Sequence, residues 1–307
     1  MIRELSEGMG QAVAERTVLR KTNGQWEDWG DVADRVAAGS VSLLPGGMGE
    51  NVEEFKGLRD HIAAGRILMS GRHLQHGDMG QKHRNMELFT NCSTACTSAL
   101  SYKLLLNGSG VGRCYDDDMM VVDWDKAPSL ILRLESSHPD FIEMERGEYS
   151  FLANQRGKLS GLLESEYVLH KVADSREGWA KALELYETMT FLEQSNKVLV
   201  LDFSNVRPSG AAINGMQGRP SCGPVPTMEA FKSVRDNVVG KGWPKWKQAM
   251  YIDHYFANSV LVGGARRAAR IAVKYWKDPD ILEYISIKKG GDLWSANNSV
   301  GVDEEFW

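Results

Sequence analysis

Two stretches narrow the folds open to this chain more than any others: Thr90-Asn91-Cys92-Ser93-Thr94-Ala95-Cys96, and then Asn107-Gly108-Ser109-Gly110-Val111-Gly112. A cysteine among small hydroxyl residues, followed by alternating glycines, is poor material for an ordinary core strand. Glycine accepts backbone dihedrals that other residues refuse, and small side chains let backbone and thiol come close to a ligand. Two readings compete here. In one, a buried structural cysteine, packing as a small hydrophobe, precedes a tight turn. In the other, a redox thiol faces a nucleotide pocket closed by the glycine turn.

The other segments supply the frame. Asn51 is placed to cap a helix with Val52, Phe55, Leu58 and Ile62 at helical spacing and Glu53 and Glu54 in its first turn. Asp174-Ser175-Arg176-Glu177 has the form of a capping box with Asp174 at the cap, and the helix it starts is expected to end near Asn196. Residues 197–203 form a short apolar run of the kind buried in a sheet. A helix is expected over 246–259, a strand at 271–273, a helix capped by Asp278 with Pro279 first, and a strand over 294–302. Residues 17–20 read as a short strand. Helix followed by buried strand, repeated, predicts an α/β architecture.

Composition limits what such a fold does. The chain has 307 residues, 42% hydrophobic and 25% charged, as in a soluble globular protein with a real core. A net charge of −5 argues against nucleic-acid binding by bulk electrostatics but leaves room for a local phosphate pocket. Cys92, Cys96, Cys114 and Cys222 are too few for a disulfide scaffold and match no zinc spacing, so a reducing cytosol is the expected compartment. No apolar run is long enough for a bilayer, and the first ten residues, with Glu4 and Glu7, lack the form of a signal peptide.

Several polar motifs stay ambiguous. His73 and His76 lack further clustered ligands and read as hydrogen-bonded loop histidines rather than a metal site. Asp116-Asp117-Asp118 lacks calcium-loop spacing and reads as a solvated loop. The loop at Ser221-Cys222-Gly223-Pro224 leads into a helix, where backbone N–H groups suit an anion; a structural turn is an equal reading. Arg266, Arg267 and Arg270 follow a diglycine. Arginine recognises phosphate and stacks on bases, although a charge run also reads as a solvated face.

Taken in order, these segments resemble the catalytic chain of ribonucleotide reductase in its class II, adenosylcobalamin-dependent form. The resemblance is carried by Asn91-Cys92, the turn from Asn107 to Gly112, Arg207-Pro208-Ser209-Gly210 and Ser221-Cys222-Gly223-Pro224-Val225. Gly263-Gly264-Ala265-Arg266-Arg267-Ala268-Ala269, Asp278-Pro279-Asp280-Ile281-Leu282-Glu283 and Asn297-Asn298-Ser299-Val300 complete it. Met69 to Asp78 and Ala173 to Trp179 look like the phage-type and monomeric branch. The family's finger loop (Asn-Pro-Cys-Gly-Glu or similar), its second phosphate segment and its C-terminal cysteine pair have no match, so the resemblance describes an N-terminal portion.

The resemblance implies an α/β fold: a mainly helical region over 1–90, then part of the family's ten-stranded barrel over 91–307, with an effector-site insertion at about 113–203. It implies thiyl-radical reduction of a ribonucleoside triphosphate or diphosphate, with adenosylcobalamin as the radical source. Cys92 would be one of two reducing cysteines. Thr90, Asn91, Gly108, Gly110, Gly112, Ser221 and Gly223 would line the substrate, and Arg266 and Arg267 would lie on the specificity loop. Cys96, Cys114 and Cys222 match no redox position and are expected to be small buried hydrophobes. The implied partners are a ribonucleotide, a dNTP or ATP effector, the C-terminal complement and a thioredoxin-like reductant, in the cytoplasm (the host's for a phage protein). No metal, nucleic acid or membrane is implied. A class I large-subunit fragment activated by a metal-containing partner and a non-catalytic nucleotide-binding fragment are the alternatives.

Overall fold

The computed structural model of the chain describes residues 9–22, 24–84, 89–141, 165–213, 219–260 and 268–307. It divides into two compact units, the first ending at Asn91 and the second beginning at Cys92. Among the described residues no helix is long and apolar enough to cross a membrane.

The first unit is mainly helical: α1 (Met9–Thr17), the hairpin β1 (Lys21–Thr22) and β2 (Gln25–Trp26), α2 (Trp29–Val41), α3 (Gly47–Glu50), α4 (Val52–Ala63) and α5 (Gly71–His76). Asp28 and Asp31 form a reciprocal capping box at the start of α2. Its inward face of Val32, Ala33, Val36 and Ala37 packs with Leu19, Ile62 and Leu74. Gly39 is required by close approach, because a Cβ there would lie 2.6 Å from the carbonyl oxygen of Asp78. The Asp78 carboxylate takes Arg20 (2.6 Å) and Arg84 (2.8 Å), and these cations hold it well below the usual carboxylate range despite partial burial. The strand expected at 17–20 is absent. Thr17 closes α1 through its hydroxyl on the Val13 carbonyl, and Leu19 is a core plug. Asn51 precedes α4 as expected but makes no side-chain cap, because its amide donates to the carbonyls of Pro45 and Gly47.

The second unit contains two parallel sheets. β3 (Cys92–Thr94), α6 (Ser98–Leu106) and β4 (Gly110–Cys114) form a strand-helix-strand unit. Then come β5 (Ser129–Arg133), β6 (Tyr167–Lys171), α7 (Arg176–Phe191), β7 (Val198–Asp202) and the antiparallel pair β8 (Ala212–Ile213) and β9 (Arg219–Pro220). Last are α8 (Val225–Asn237), α9 (Lys245–Ser259), β10 (Arg270–Tyr275), α10 (Ile281–Ser286) and β11 (Ala296–Gly301). The strand orders are β11-β10-β4-β3 and β5-β7-β6, parallel throughout. The main core joins the second sheet to α6, α7, α8 and α9 through Tyr102, Tyr186, Phe203, Phe231 and Phe256. Tyr102 and Phe231 each set a ring 4.8 Å from that of Phe256.

Three local expectations shift. Ser175, not Asp174, caps α7 by accepting from the Gly178 N–H at 2.9 Å, and Asp174 pairs with Arg207 instead. α7 ends at Phe191 rather than near Asn196, because Glu193 adopts a left-handed φ of 52°. Asp278 does not cap α10; it takes Lys274 at 2.7 Å, and the cap position falls to Asp280. The residues of 107–112 are not one glycine turn. Gly108, with φ of 78°, stops α6, and Gly110 opens β4.

Candidate active site

Cys92 begins β3 in register with Gly110, and Ser93 and Thr94 stand beside Val111 and Gly112. β10 pairs on the other side of β4, with Ile271 level with Gly112, and β11 continues the row with Asn297 level with Ile271. Side chains alternate across a strand, so Cys92, Thr94, Ile271, Asn297 and Ser299 share one face with the glycines. That face is open: each of these five side chains is exposed. The floor is bare at Gly112, level with Thr94, since a Cβ there would meet nothing nearer than Ser93 O and Thr94 Cγ2, both at 3.9 Å.

The opposite face is buried and charged. Arg113 of β4 donates to Asp253 Oδ2 and to Ser98 Oγ, both at 2.9 Å, and to the Cys96 carbonyl at 3.0 Å. Tyr115 donates to the same Asp253 oxygen (2.5 Å), and Arg270 of β10 donates to Tyr115 Oη (2.7 Å) and Ser295 Oγ (3.0 Å). Burial works against the Arg113 cation, but Asp253 and its neighbours outweigh it and raise the pKa. Burial also pushes the Tyr115 phenol up. His254, bonded to Ser295 and Asn258, is held neutral down to about 4 by burial and by the charge of Arg270. Glu187 of α7 reaches in as well, its two oxygens accepting from Ser98 N and Ala99 N at 2.9 Å each. Sequence patterning passed over this network. Its one signal was charge inside apolar runs: Arg113 within Gly-Val-Gly-Arg-Cys, and Asp253-His254 within a helix otherwise rich in Met, Ile, Tyr and Phe.

The structure brings Cys92, Gly110 and Gly112 together on one sheet, and Ser221 and Gly223 belong to a different segment of the second unit. Both sit in the buried loop before α8, where Gly223 N donates to Ser221 Oγ (3.0 Å) and Ser209 N donates to Asp140 (2.9 Å). Those two N–H groups are therefore used internally rather than offered to an anion. Gly223 has φ of 71°, and a Cβ there would sit 2.8 Å from Ser209 N, so glycine is structurally required. Thr90 and Asn91 are exposed and end the first unit. Gly108 is accounted for by the stop of α6. Arg266 and Arg267 lie outside the described residues; their neighbour Arg270 turns into the core and is not solvated.

Other expectations are corrected. Cys96 is exposed, and Cys114 and Cys222 are half-buried, so the three are not buried hydrophobes. Cys96 is left outside because its residue forms the turn into α6, where the backbone carbonyl and not the thiol faces Arg113. The acidic triplet is only partly the solvated loop expected: Asp117 and Asp118 are exposed, but Asp116 accepts from Tyr275 N (2.6 Å) and Asp117 faces Lys274 (3.4 Å). His73 and His76 lie in α5, not in a loop, with His73 against Ser70 and both rings against Phe89. Among the described residues no three His, Cys, Asp or Glu side chains are grouped to hold a metal ion.

Comparison with known proteins places this geometry. Residues 150–238 match the family described as the insertion domain of B12-dependent ribonucleotide reductase. That segment overlaps the insertion expected at about 113–203 and extends past it into α8. A protein of Mycobacterium phage D29, named for adenosylcobalamin-dependent ribonucleoside-triphosphate reduction, is 30% identical over 97% of this chain and 44% of its own length. The adenosylcobalamin-dependent ribonucleoside-triphosphate reductase of Lactobacillus gasseri is 24% identical over 97% of this chain and 46% of its own. A crystal structure of a B12-dependent (class II) ribonucleotide reductase shares the fold with a TM-score of 0.73, at 22% identity, over 96% of this chain and 46% of that one. The chain thus spans slightly under half the length of these relatives. The expected fold class, a helical region followed by part of that α/β barrel, agrees with this neighbour.

Proposed function

We propose, from the premise that this chain is related along nearly its whole length to the class II, B12-dependent ribonucleotide reductases, that it is the N-terminal part of a ribonucleoside-triphosphate reductase. The observation that supports this most is the exposed Cys92 thiol beside a strand of bare glycine on an open sheet face. The reaction balances as follows. A ribonucleotide and two thiols give a 2′-deoxyribonucleotide, one disulfide and water, with Cys92 supplying one thiol and a cysteine outside this chain the other. A protein disulfide joins Cα atoms only about 4.4–6.8 Å apart, so the partner must arrive directly over this face. Among the described residues the free cysteines form no disulfide.

Gly110 and Gly112 leave room for a ribose against the β4 backbone, and Thr90 and Asn91 directly precede Cys92 in the sequence. Ser221, Gly223 and the neighbouring loop serve the fold of the substrate wall rather than donating N–H groups. Arg266 and Arg267 select the base, and the 150–238 segment binds a deoxynucleotide or ATP effector. A thioredoxin-like dithiol regenerates the cysteine pair.

Adenosylcobalamin, the cofactor in the relatives' names, supplies the radical when bound. The open sheet face does not fit a corrin: it offers one large exposed aliphatic side chain, Ile271, among Cys, Thr, Asn, Ser and Gly. We therefore assign its seat to the remainder of the enzyme. The test is reduction of ribonucleoside triphosphates by this chain combined with the complementary half of a relative, with and without adenosylcobalamin. Cofactor-dependent deoxynucleotide formation supports the reading. Its absence in a correctly assembled complex that still binds nucleotide removes it.

A further inference from the structure

β3 is a weak support for a reactive thiol. It has three residues, it pairs along one side only in the described sheet, and Cys92 is its first residue. The chain just beyond it is held far more firmly. Arg113 fastens the Cys96 carbonyl (3.0 Å) and Ser98 Oγ (2.9 Å) from β4. From α7, Glu187 fastens the next two backbone N–H groups, Ser98 and Ala99, at 2.9 Å each. Thr97 caps the same turn by accepting from Leu100 N. A carboxylate against free N–H groups at the first turn of a helix is favoured by the helix dipole as well as by the hydrogen bonds. Arg113 is in turn fixed by Asp253 of α9 at 2.9 Å. Residues 96–99 are thus clamped from two directions by charged groups, each largely removed from solvent.

We infer that Arg113 and Glu187 are positioning residues for the Cys92 thiol: they anchor residues 96–99, just after the short strand that carries it, and so set where its sulfur stands over the glycine floor. Glu187 lies inside the 150–238 segment, so the clamp is also a direct contact between that segment and the first turn of α6, which follows the strand of the thiol. This inference rests on the reading of Cys92 as a reducing cysteine.

The test compares the wild-type chain with Glu187→Gln, which keeps the shape but removes the charge and one acceptor, and with Arg113→Lys, which keeps the charge but loses the fork. Each cysteine is alkylated with iodoacetamide under native conditions and its rate read peptide by peptide. In both variants the rates at Cys92 and Cys96 should change by about threefold or more while that at Cys222 holds, since thiol reactivity follows its immediate surroundings. A uniform rise at all four cysteines means general loosening and overturns the inference, as does no change at Cys92 in a folded variant. In the assembled reductase, Glu187→Gln should lower kcat roughly ten- to a hundredfold with the nucleotide KM held, as expected for a misplaced reacting group. A loss that only tracks the amount of folded enzyme overturns it. If the wild-type assembly reduces no ribonucleotide, the proposed reaction fails instead, and the alkylation pattern still judges the clamp.

Discussion

The two parallel sheets of the second unit are buried by different means. In the three-stranded sheet, β5 and β7 enter the core with Leu130, Leu132, Leu199 and Leu201, all nearly inaccessible. In the four-stranded sheet the inward positions of β4 and β10 include Arg113, Arg270 and Lys274, the last with no exposed surface. Apolar burial is non-directional and tolerates small shifts, whereas a desolvated guanidinium is held only where its partners stand. The first sheet is therefore scaffold, and the second, with its outer face open, is where geometry is fixed closely. Precision is spent behind the thiol.

The largest expected effect tests that contrast directly. Asp253→Ala strips Arg113 and Arg270 of their shared carboxylate and should cost about 3–5 kcal/mol in urea unfolding. Leu201→Ala in β7 opens a cavity and should cost about 2–5 kcal/mol, with the native alkylation rate of Cys92 unchanged. If Leu201→Ala alters that rate as much as Asp253→Ala does, the two sheets are not separable in this way.

A smaller effect follows from His254. Its folded pKa, about 4, lies below the ordinary 6.5, so between those values the unfolded chain binds the proton and the folded chain does not. Stability contributed by the neutral ring is complete above pH 6.5 and is lost progressively as the pH falls toward 4. His254→Gln should flatten the fall of the urea midpoint across that window, and an unaltered slope would place the titration elsewhere. The smallest structural effect belongs to Cys92→Ala. An exposed side chain on the open face should change stability by no more than about 0.5 kcal/mol. Multiple turnover in the assembled enzyme should be abolished while nucleotide still binds; sustained turnover driven by a dithiol would exclude Cys92 from the reducing pair.

The same division explains what was legible beforehand. The apolar run at 197–203 became β7 (Val198–Asp202), and the helix expected over 246–259 became α9 (Lys245–Ser259), because burial of a periodic face is a local signal. The expected strands at 271–273 and 294–302 became β10 and β11. Caps were less legible. Ser175 displaced Asp174 because Asp174 had a distant partner, Arg207, that no local pattern contains. Asp280 took the cap position from Asp278, whose carboxylate pairs with Lys274 four positions earlier. That Cys92 has small neighbours was plain from the local sequence, but its role came only from the family resemblance. The clamp was not legible: Ser98 and Glu187 are 89 positions apart, and Arg113 and Asp253 are 140 apart. Residue identity fixed which groups were charged; only the packing of β4, α7 and α9 made them meet.

The bare floor at Gly112 has one more consequence. At position 112 an added methyl group has free space, with its nearest neighbours 3.9 Å away, and the backbone there needs no left-handed dihedral. Gly112→Ala should therefore fold and melt like the parent, while raising a bump under whatever rests on that strand. One carbon atom thus separates the ability to fold from the ability to accommodate a guest.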